Sequence, residues 1–220
     1  MLVGKEKDFF SQGGQYIKTG LLLILTLLRV ASHTYTQSVE LMPGTERIFA
    51  DVQWLKPLGV EYQWTIFSRT RTTVDYEDEN RDFFSGLYLN YTSKSGFGGS
   101  VVGRLSTTDA GVDTGPHFFK QTKDITLFAL ASISLQSELS YSWFSILRYT
   151  PELSEKWKVY SSLELFSAFR EEGHAASVQR IRLGLDRSGY QFGMAVNFRA
   201  TGRPYSLRDT NPGLFIRKQL

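Results

Sequence analysis

The chain has 220 residues, with 25 basic and 22 acidic side chains and a formal net charge of +3. This near balance, without a basic run interleaved with aromatics, argues against a nucleic-acid binder. The absence of cysteine excludes disulfides, thiol catalysis and cysteine-based metal sites. A mean hydropathy of −0.22 argues against a helical membrane protein but not against a β-barrel, in which half of each spanning strand is polar.

The first predicted element is the continuous apolar run at residues 20–28. It is shorter than the roughly 20 residues that a membrane-spanning helix needs. Lys18 precedes the run, and small or apolar residues at 30–32 follow it. This order predicts a signal peptide over residues 1–32, with a short buried helix as the alternative. An N-terminal segment, 33–45, would then precede a single domain, 46–220.

From residue 46 onward, apolar and polar residues alternate in successive runs that turn residues separate, most clearly at 125–135. Side chains of a strand alternate between faces, so this period predicts strands with one apolar and one polar face. Ten strands are predicted, and a strand at 35–42 plus one more would raise the number to twelve. The ten lie at 46–55, 60–73, 82–93, 97–107, 122–136, 138–149, 156–169, 176–187, 189–200 and 213–220.

The connections between these strands are predicted to alternate in length. Short turns at 56–59, 93–96 and 137–138 alternate with longer loops at 75–81, 108–121 and 201–211. Such alternation is typical of the periplasmic and extracellular ends of outer-membrane barrels. The short turn at 186–189 interrupts it.

The two faces of the strands predict where the barrel sits. The runs are longer than the about 5–6 residues of a usual globular strand, and charges occur in the middle of the polar face. Together with the signal peptide, this favours an apolar face against lipid and a polar lumen. The predicted fold class is all-β, a single antiparallel up-and-down transmembrane β-barrel. The alternative is a secreted, soluble, lipocalin-like barrel that binds an apolar ligand in its core.

The last ten residues, Asn-Pro-Gly-Leu-Phe-Ile-Arg-Lys-Gln-Leu, alternate apolar side chains toward the final position. Over about residues 47–220 the chain thus resembles the small outer-membrane β-barrels of Gram-negative, Bacteroidota-like bacteria. The resemblance implies a bacterial outer-membrane location, contact with membrane lipid and lipopolysaccharide, and recognition by the barrel assembly machinery. Leu220 stands where these barrels usually end in Phe, and Lys218 where an aromatic residue is common.

The polar face carries an unusual number of arginines, which keep their charge in any environment. Asp51, Glu61, Glu164 and Asp186 share that face and are expected to pair with them. Two interpretations follow: a salt-bridged plug, or a positive path for anionic solutes. Because ten to twelve strands lie between filled barrels of about 8 and open channels of about 16, a wide porin is not expected. The predicted lumen-lining residues are Arg69, Arg71, Arg104, Glu164, Arg180, Arg182, Asp186, Arg199 and Arg217.

These features predict a non-catalytic barrel that serves as a structural element, a narrow pore or an accessory subunit with an envelope protein partner. The rival is an outer-membrane enzyme that modifies lipid, with His174, Ser177 and Glu172 near one rim as an acyl-transfer site. A charged turn with an incidental histidine explains the same residues. His117 is placed in the loop 108–121.

No cofactor or metal site is predicted. The acidic run at 75–82 could offer oxygen ligands to Ca²⁺ or bridge cations to lipopolysaccharide. It lacks the glycine and the spacing of a calcium loop, which favours a solvated loop.

Overall fold

A computed structural model describes residues 36–220, except residues 60, 62, 78–79, 137–138 and 204. The predicted signal peptide lies outside the described residues, as does the beginning of the predicted N-terminal segment. The described chain forms thirteen strands. They are β1 (Thr36–Pro43), β2 (Arg47–Leu58), β3 (Trp64–Asp75), β4 (Arg81–Thr92), β5 (Phe97–Ser106), β6 (Ala110–Gln121), β7 (Ile125–Ser134), β8 (Ser140–Tyr149), β9 (Glu152–Ser154), β10 (Trp157–Arg170), β11 (Gly173–Arg187), β12 (Tyr190–Thr201) and β13 (Leu207–Gln219).

The sheet closes into a barrel of twelve strands. Each long strand pairs antiparallel with the next long strand in the chain, and β1 pairs with β13 to complete the ring. The three-residue β9 pairs with the start of β10, next to the point where β8 ends, and adds no member to the ring. The predicted all-β antiparallel barrel is therefore confirmed, with twelve strands rather than ten. Among the described residues, no helix is long and apolar enough to cross a membrane.

The strand that the alternation pattern missed is β6, which occupies most of the predicted loop 108–121. Glycine and proline are depleted in strands, and Gly111, Gly115 and Pro116 interrupt the pattern here. A Cβ at Gly115 would lie 1.9 Å from the backbone oxygen of Ala131 in β7, so the close strand approach requires glycine. The twelfth strand, β1, lies where the N-terminal segment was predicted to add one.

The two rims of the barrel have connections of similar length, so the predicted alternation of short turns and long loops is wrong. One rim, which we call the distal rim, holds the connections 44–46, 76–80, 107–109, 135–139, 171–172 and 202–206. The proximal rim holds the start of β1, the end of β13 and the remaining connections. Because β13 begins at Leu207, the predicted loop 201–211 shrinks to five residues.

The turn at 186–189, which interrupts the predicted alternation of short and long connections, is an ordinary hairpin turn between β11 and β12. Ser188 and Gly189 both have positive φ, at 53° and 77°. This is the backbone of the two-residue turns whose twist matches antiparallel strands. Counting β6 places this turn on the proximal rim, with the turns that follow β2 and β4.

The apolar face of the strands is the outer surface of the barrel. Leu87, Leu183 and Met194 are 56%, 52% and 67% exposed, whereas Arg69 and Arg182 on the inner face are 3% and 4% exposed. A soluble barrel buries its apolar face instead. This distribution argues against the lipocalin-like alternative and is that expected of a barrel in lipid.

Apolar side chains also fill part of the interior. One cluster consists of Met42, Phe49, Tyr160, Ala195 and Phe215. A second consists of Tyr88, Val102 and Leu130, with Phe67 and Phe128 packed against it.

Candidate functional site in the lumen

A network of ion pairs crosses the lumen at mid-height. Arg69 in β3 donates from Nη1 to Glu164 Oε2 in β10 at 2.6 Å. β3 and β10 lie six places apart in the twelve-strand ring, so the two side chains come from opposite walls. Both are almost fully buried, with side-chain exposures of 3% and 7%. The pair is therefore a tie across the barrel.

Further charged groups join this tie. Arg69 also donates to both carboxylate oxygens of Asp51, from Nε at 2.9 Å and from Nη2 at 2.6 Å. Arg71 donates from Nη1 to Glu164 Oε1 at 2.8 Å, and Arg180 donates to the same oxygen. We call these five residues, Asp51, Arg69, Arg71, Glu164 and Arg180, the constriction. Removing one partner of such a buried pair typically costs about 3–5 kcal/mol of stability.

A second layer of arginines lies next to the constriction. Arg182 donates from Nε to Glu40 Oε1 at 2.8 Å. Arg148, in β8, donates from Nη2 to Gln53 Oε1 in β2 at 2.9 Å, which is another contact between opposite walls. Arg217 donates to Tyr160 Oη and Ser38 Oγ, both at 2.8 Å.

A cavity of about 390 Å³ lies between the constriction and the distal rim. We call it the vestibule. Arg71 and Arg180 line its inner end, and Asp82 and Arg199 line its outer end. Arg199 Nη1 and Asp82 Oδ2 lie 2.5 Å apart across the opening, with side-chain exposures of 47% and 54%. The lumen is thus narrowed by a buried tie and partly covered by an exposed one, which we call the mouth pair.

The same architecture occurs in solved porins. The structure named KdgM porin matches with a TM-score of 0.52 and 8% identity, over 84% of this chain and 98% of that chain. A second structure, "KdgM porin in complex with disordered oligogalacturonate", matches with a TM-score of 0.50 and 7% identity over the same shares. No family model and no curated protein sequence matches the chain. At these identities the likeness establishes the fold alone, which is that of outer-membrane β-barrels.

Most predicted lumen residues lie on the inner wall, but not all of them meet. Arg104 pairs with Asp109 at 2.6 Å and with Asp113 at 2.8 Å along the wall of the vestibule. Asp186 lies near the proximal rim and accepts a hydrogen bond from Gln191 Nε2 at 2.8 Å. Glu61, expected to pair with arginines, is instead an exposed residue of the connection between β2 and β3.

Arg199 and Arg217 lie on the neighbouring strands β12 and β13, but at opposite ends of them. Arg199 pairs in register with Asp209, whereas Arg217 pairs with Gln191 at the other end of the same two strands. One arginine is therefore part of the mouth pair, and the other lies in the second layer.

The structure brings together two of the three predicted rim residues. His174 Nε2 lies 2.8 Å from Ser177 Oγ, and His174 Nδ1 lies 2.9 Å from the carbonyl oxygen of Gly202. A carbonyl accepts only, so Nδ1 carries a proton, and in the neutral imidazole Nε2 accepts from the serine. Ser167 Oγ adds a 2.9 Å contact to Ser177 Oγ. Glu172 is exposed and has no contact with this pair in the described structure.

Sequence reasoning missed several lumen residues. Glu40 lies in β1, and Asp113 and His117 lie in β6. His117, predicted in a loop, is buried and contacts Ser100 Oγ at 2.7 Å. The polar alternation of residues 38 and 40 was a usable signal for β1, but glycine and proline obscured the signal in β6.

The acidic run at 75–82 is divided between other partners. Asp75 pairs with Arg47, and Asp82 belongs to the mouth pair. Asp78 and Glu79 lie outside the described residues. The described part of the chain contains no cluster of histidine or carboxylate side chains that would hold a metal ion.

Proposed function

We propose that the protein is a non-catalytic outer-membrane barrel whose arginine-rich lumen forms a narrow path for small anions. The constriction is the narrowest part of this path. An anion passes when the arginines of the constriction release the Glu164 carboxylate and bind the solute in its place. The observation that supports the proposal most strongly is the excess of positive charge in the interior at mid-height. Five arginines but three carboxylates line the small cavity next to the constriction. Such an excess of fixed positive charge favours anions over cations.

The outer-membrane location is part of the same proposal. It is supported by the exposed apolar surface and by the likeness to porin folds. The terminal strand β13 pairs with both β12 and β1 and so closes the barrel, as expected of a strand that the barrel assembly machinery recognises. Contact with lipopolysaccharide and with an envelope protein partner remains a prediction, as does a Bacteroidota-like source.

Planar-bilayer recording of the purified barrel tests the conduction. We expect a small, steady conductance with an anion-selective reversal potential in a salt gradient. The double variant Arg180→Gln/Arg182→Gln should lose selectivity because it removes two lumen charges. Arg187→Gln is the matched control, since Arg187 is exposed on the same strand and lies over the Trp157 ring at 5.1 Å. A barrel that folds, shown by heat-modifiable gel mobility, but never conducts would contradict the pore and leave a structural plug.

The contact between His174 and Ser177 favours a second candidate, a lipid hydrolase. Ser177 Oγ would attack an ester carbonyl of a membrane lipid while His174 Nε2 takes the hydroxyl proton and returns it to the departing alcohol. Water would then release the acyl group from the serine. Ester hydrolysis in phospholipid vesicles that Ser177→Ala abolishes and Ser167→Ala retains would support it. Equal rates in wild type and Ser177→Ala would dismiss it.

A further inference from the structure

Two arginines of the second layer, the buried Arg217 and the half-buried Arg148, have no carboxylate partner among the described residues. Arg217 is 4% exposed, and its hydrogen bonds go to Tyr160, Ser38 and Gln53, all of them neutral. Arg148 donates to Gln53 Oε1. A buried guanidinium stays charged, and burying it without a counter-charge is costly.

Both guanidinium groups converge on one amide oxygen. Gln53 Oε1 accepts from Arg148 Nη2 at 2.9 Å and from Arg217 Nη2 at 3.4 Å. The amide is held in this orientation because Gln53 Nε2 donates to Asp51 Oδ2 at 2.7 Å. Two like charges therefore face each other across a neutral group.

The nearby carboxylates are already engaged by other arginines. Asp51 is bound by Arg69 through two nitrogen atoms, and Glu40 is bound by Arg182. Glu164 accepts from three arginines of the constriction. None of these acidic groups is left to neutralise Arg148 or Arg217.

The Nε atoms of Arg148 and Arg217 are buried and have no hydrogen-bond partner among the described residues. Most buried donors in proteins are satisfied, so each of these needs an explanation. Both arginines line a cavity of about 20 Å³, which we call the inner pocket. A cavity of about 10–15 Å³ holds one water molecule, so this volume suits a monatomic ion and is too small for sulfate or phosphate.

We infer that the inner pocket is a binding site for a small halide-type anion, held between Arg148 and Arg217. The anion supplies the missing negative charge and accepts from the unpaired donors. Because it is buried behind the constriction, it stabilises the barrel whether or not the lumen conducts. A failure of conduction would therefore not remove this site.

The test is the thermal unfolding of the full-length barrel in detergent at constant ionic strength, with chloride exchanged for sulfate. Chloride should raise the unfolding temperature in wild type in a saturable manner, since a ligand that binds the folded state stabilises it. The double variant Arg148→Gln/Arg217→Gln should lose this dependence. Arg199→Gln, which removes an exposed arginine of the mouth pair, should keep the wild-type response.

A second, structural measurement uses only the wild-type barrel, so it does not depend on whether the double variant folds. Crystals of the wild-type barrel soaked in bromide should show an anomalous scattering peak between the guanidinium groups of Arg148 and Arg217. An unfolding temperature that is equal in chloride and sulfate, or crystals without a bromide peak in the inner pocket, would overturn the inference. A chloride effect that persists in the double variant would overturn it as well.

Discussion

The constriction and the mouth pair present the same chemistry in two environments. In each, an arginine and a carboxylate from distant strands meet across the lumen, Arg69 with Glu164 and Arg199 with Asp82. The side chains of the first pair are 3% and 7% exposed, and those of the second are 47% and 54% exposed. Water and salt screen the second pair but not the first. Burial, rather than the presence of a pair, is therefore expected to decide how much each tie stabilises the barrel.

The largest expected difference between the two ties is in stability. Glu164→Ala leaves three arginines of the constriction without their shared acceptor, and we expect a loss of about 3–5 kcal/mol. Asp82→Ala breaks an exposed pair and should cost about 0–1 kcal/mol. Equilibrium unfolding by urea in lipid vesicles measures both values. Equal losses would show that burial does not separate the two ties.

Replacing Arg71 is expected to cost an amount of stability between those of Glu164→Ala and Asp82→Ala. Its side chain is 12% exposed at the inner end of the vestibule, and its partner Glu164 keeps two other arginines when Arg71 is removed. Arg71→Ala should therefore cost about 1.5–3 kcal/mol, the range for one hydrogen bond to a charged group. The same unfolding experiment tests it. A cost as large as that of Glu164→Ala would mean that Arg71, rather than Arg69, carries the tie.

The smallest expected effect is the response of the mouth pair to salt. A double-mutant cycle on Arg199 and Asp82 should give a coupling of about 0.2–1 kcal/mol at low salt. At 1 M salt, where the screening length is about 3 Å, this coupling should vanish. A cycle on Arg69 and Glu164 should give the same value at both salt concentrations. If both coupling energies vanish in high salt, water and ions must enter the constriction and screen its charges.

The sequence allowed the barrel and its polar interior to be predicted because clean alternation marks both faces of most strands. It could not show which residues meet across the lumen. Arg69 and Glu164 are 95 residues apart, and their contact depends on the register of every strand pair between them. β3 and β10 are opposite in the predicted ring of ten strands as well as in the observed ring of twelve. The alternation pattern gives neither the register between strands nor the height of a side chain along the barrel, so it could not show that these two side chains meet.

The rim residues show a second limit of prediction from the sequence. The spacing of His174 and Ser177 suggested a pair, but their contact depends on a register shift between β10 and β11 near Phe169. His174 packs against Tyr205 with ring centroids 4.0 Å apart, and Tyr205 belongs to a connection that was predicted to be much longer. Local irregularities of this kind arise from packing and leave no periodic signal.

The central claim, that the lumen is narrowest at the buried tie and excludes bulky solutes there, can be tested by thiol accessibility, since the chain has no native cysteine. Ser142 lines the vestibule and Ser162 lines the inner pocket, on opposite sides of Glu164. In barrels reconstituted into lipid vesicles, with a bulky, water-soluble thiol reagent supplied only on the distal side, Ser142→Cys should react rapidly. Ser162→Cys should react only when Glu164→Gln is introduced as well. Equal, rapid reaction of both cysteines in the otherwise wild-type barrel would contradict a constriction that excludes bulky solutes.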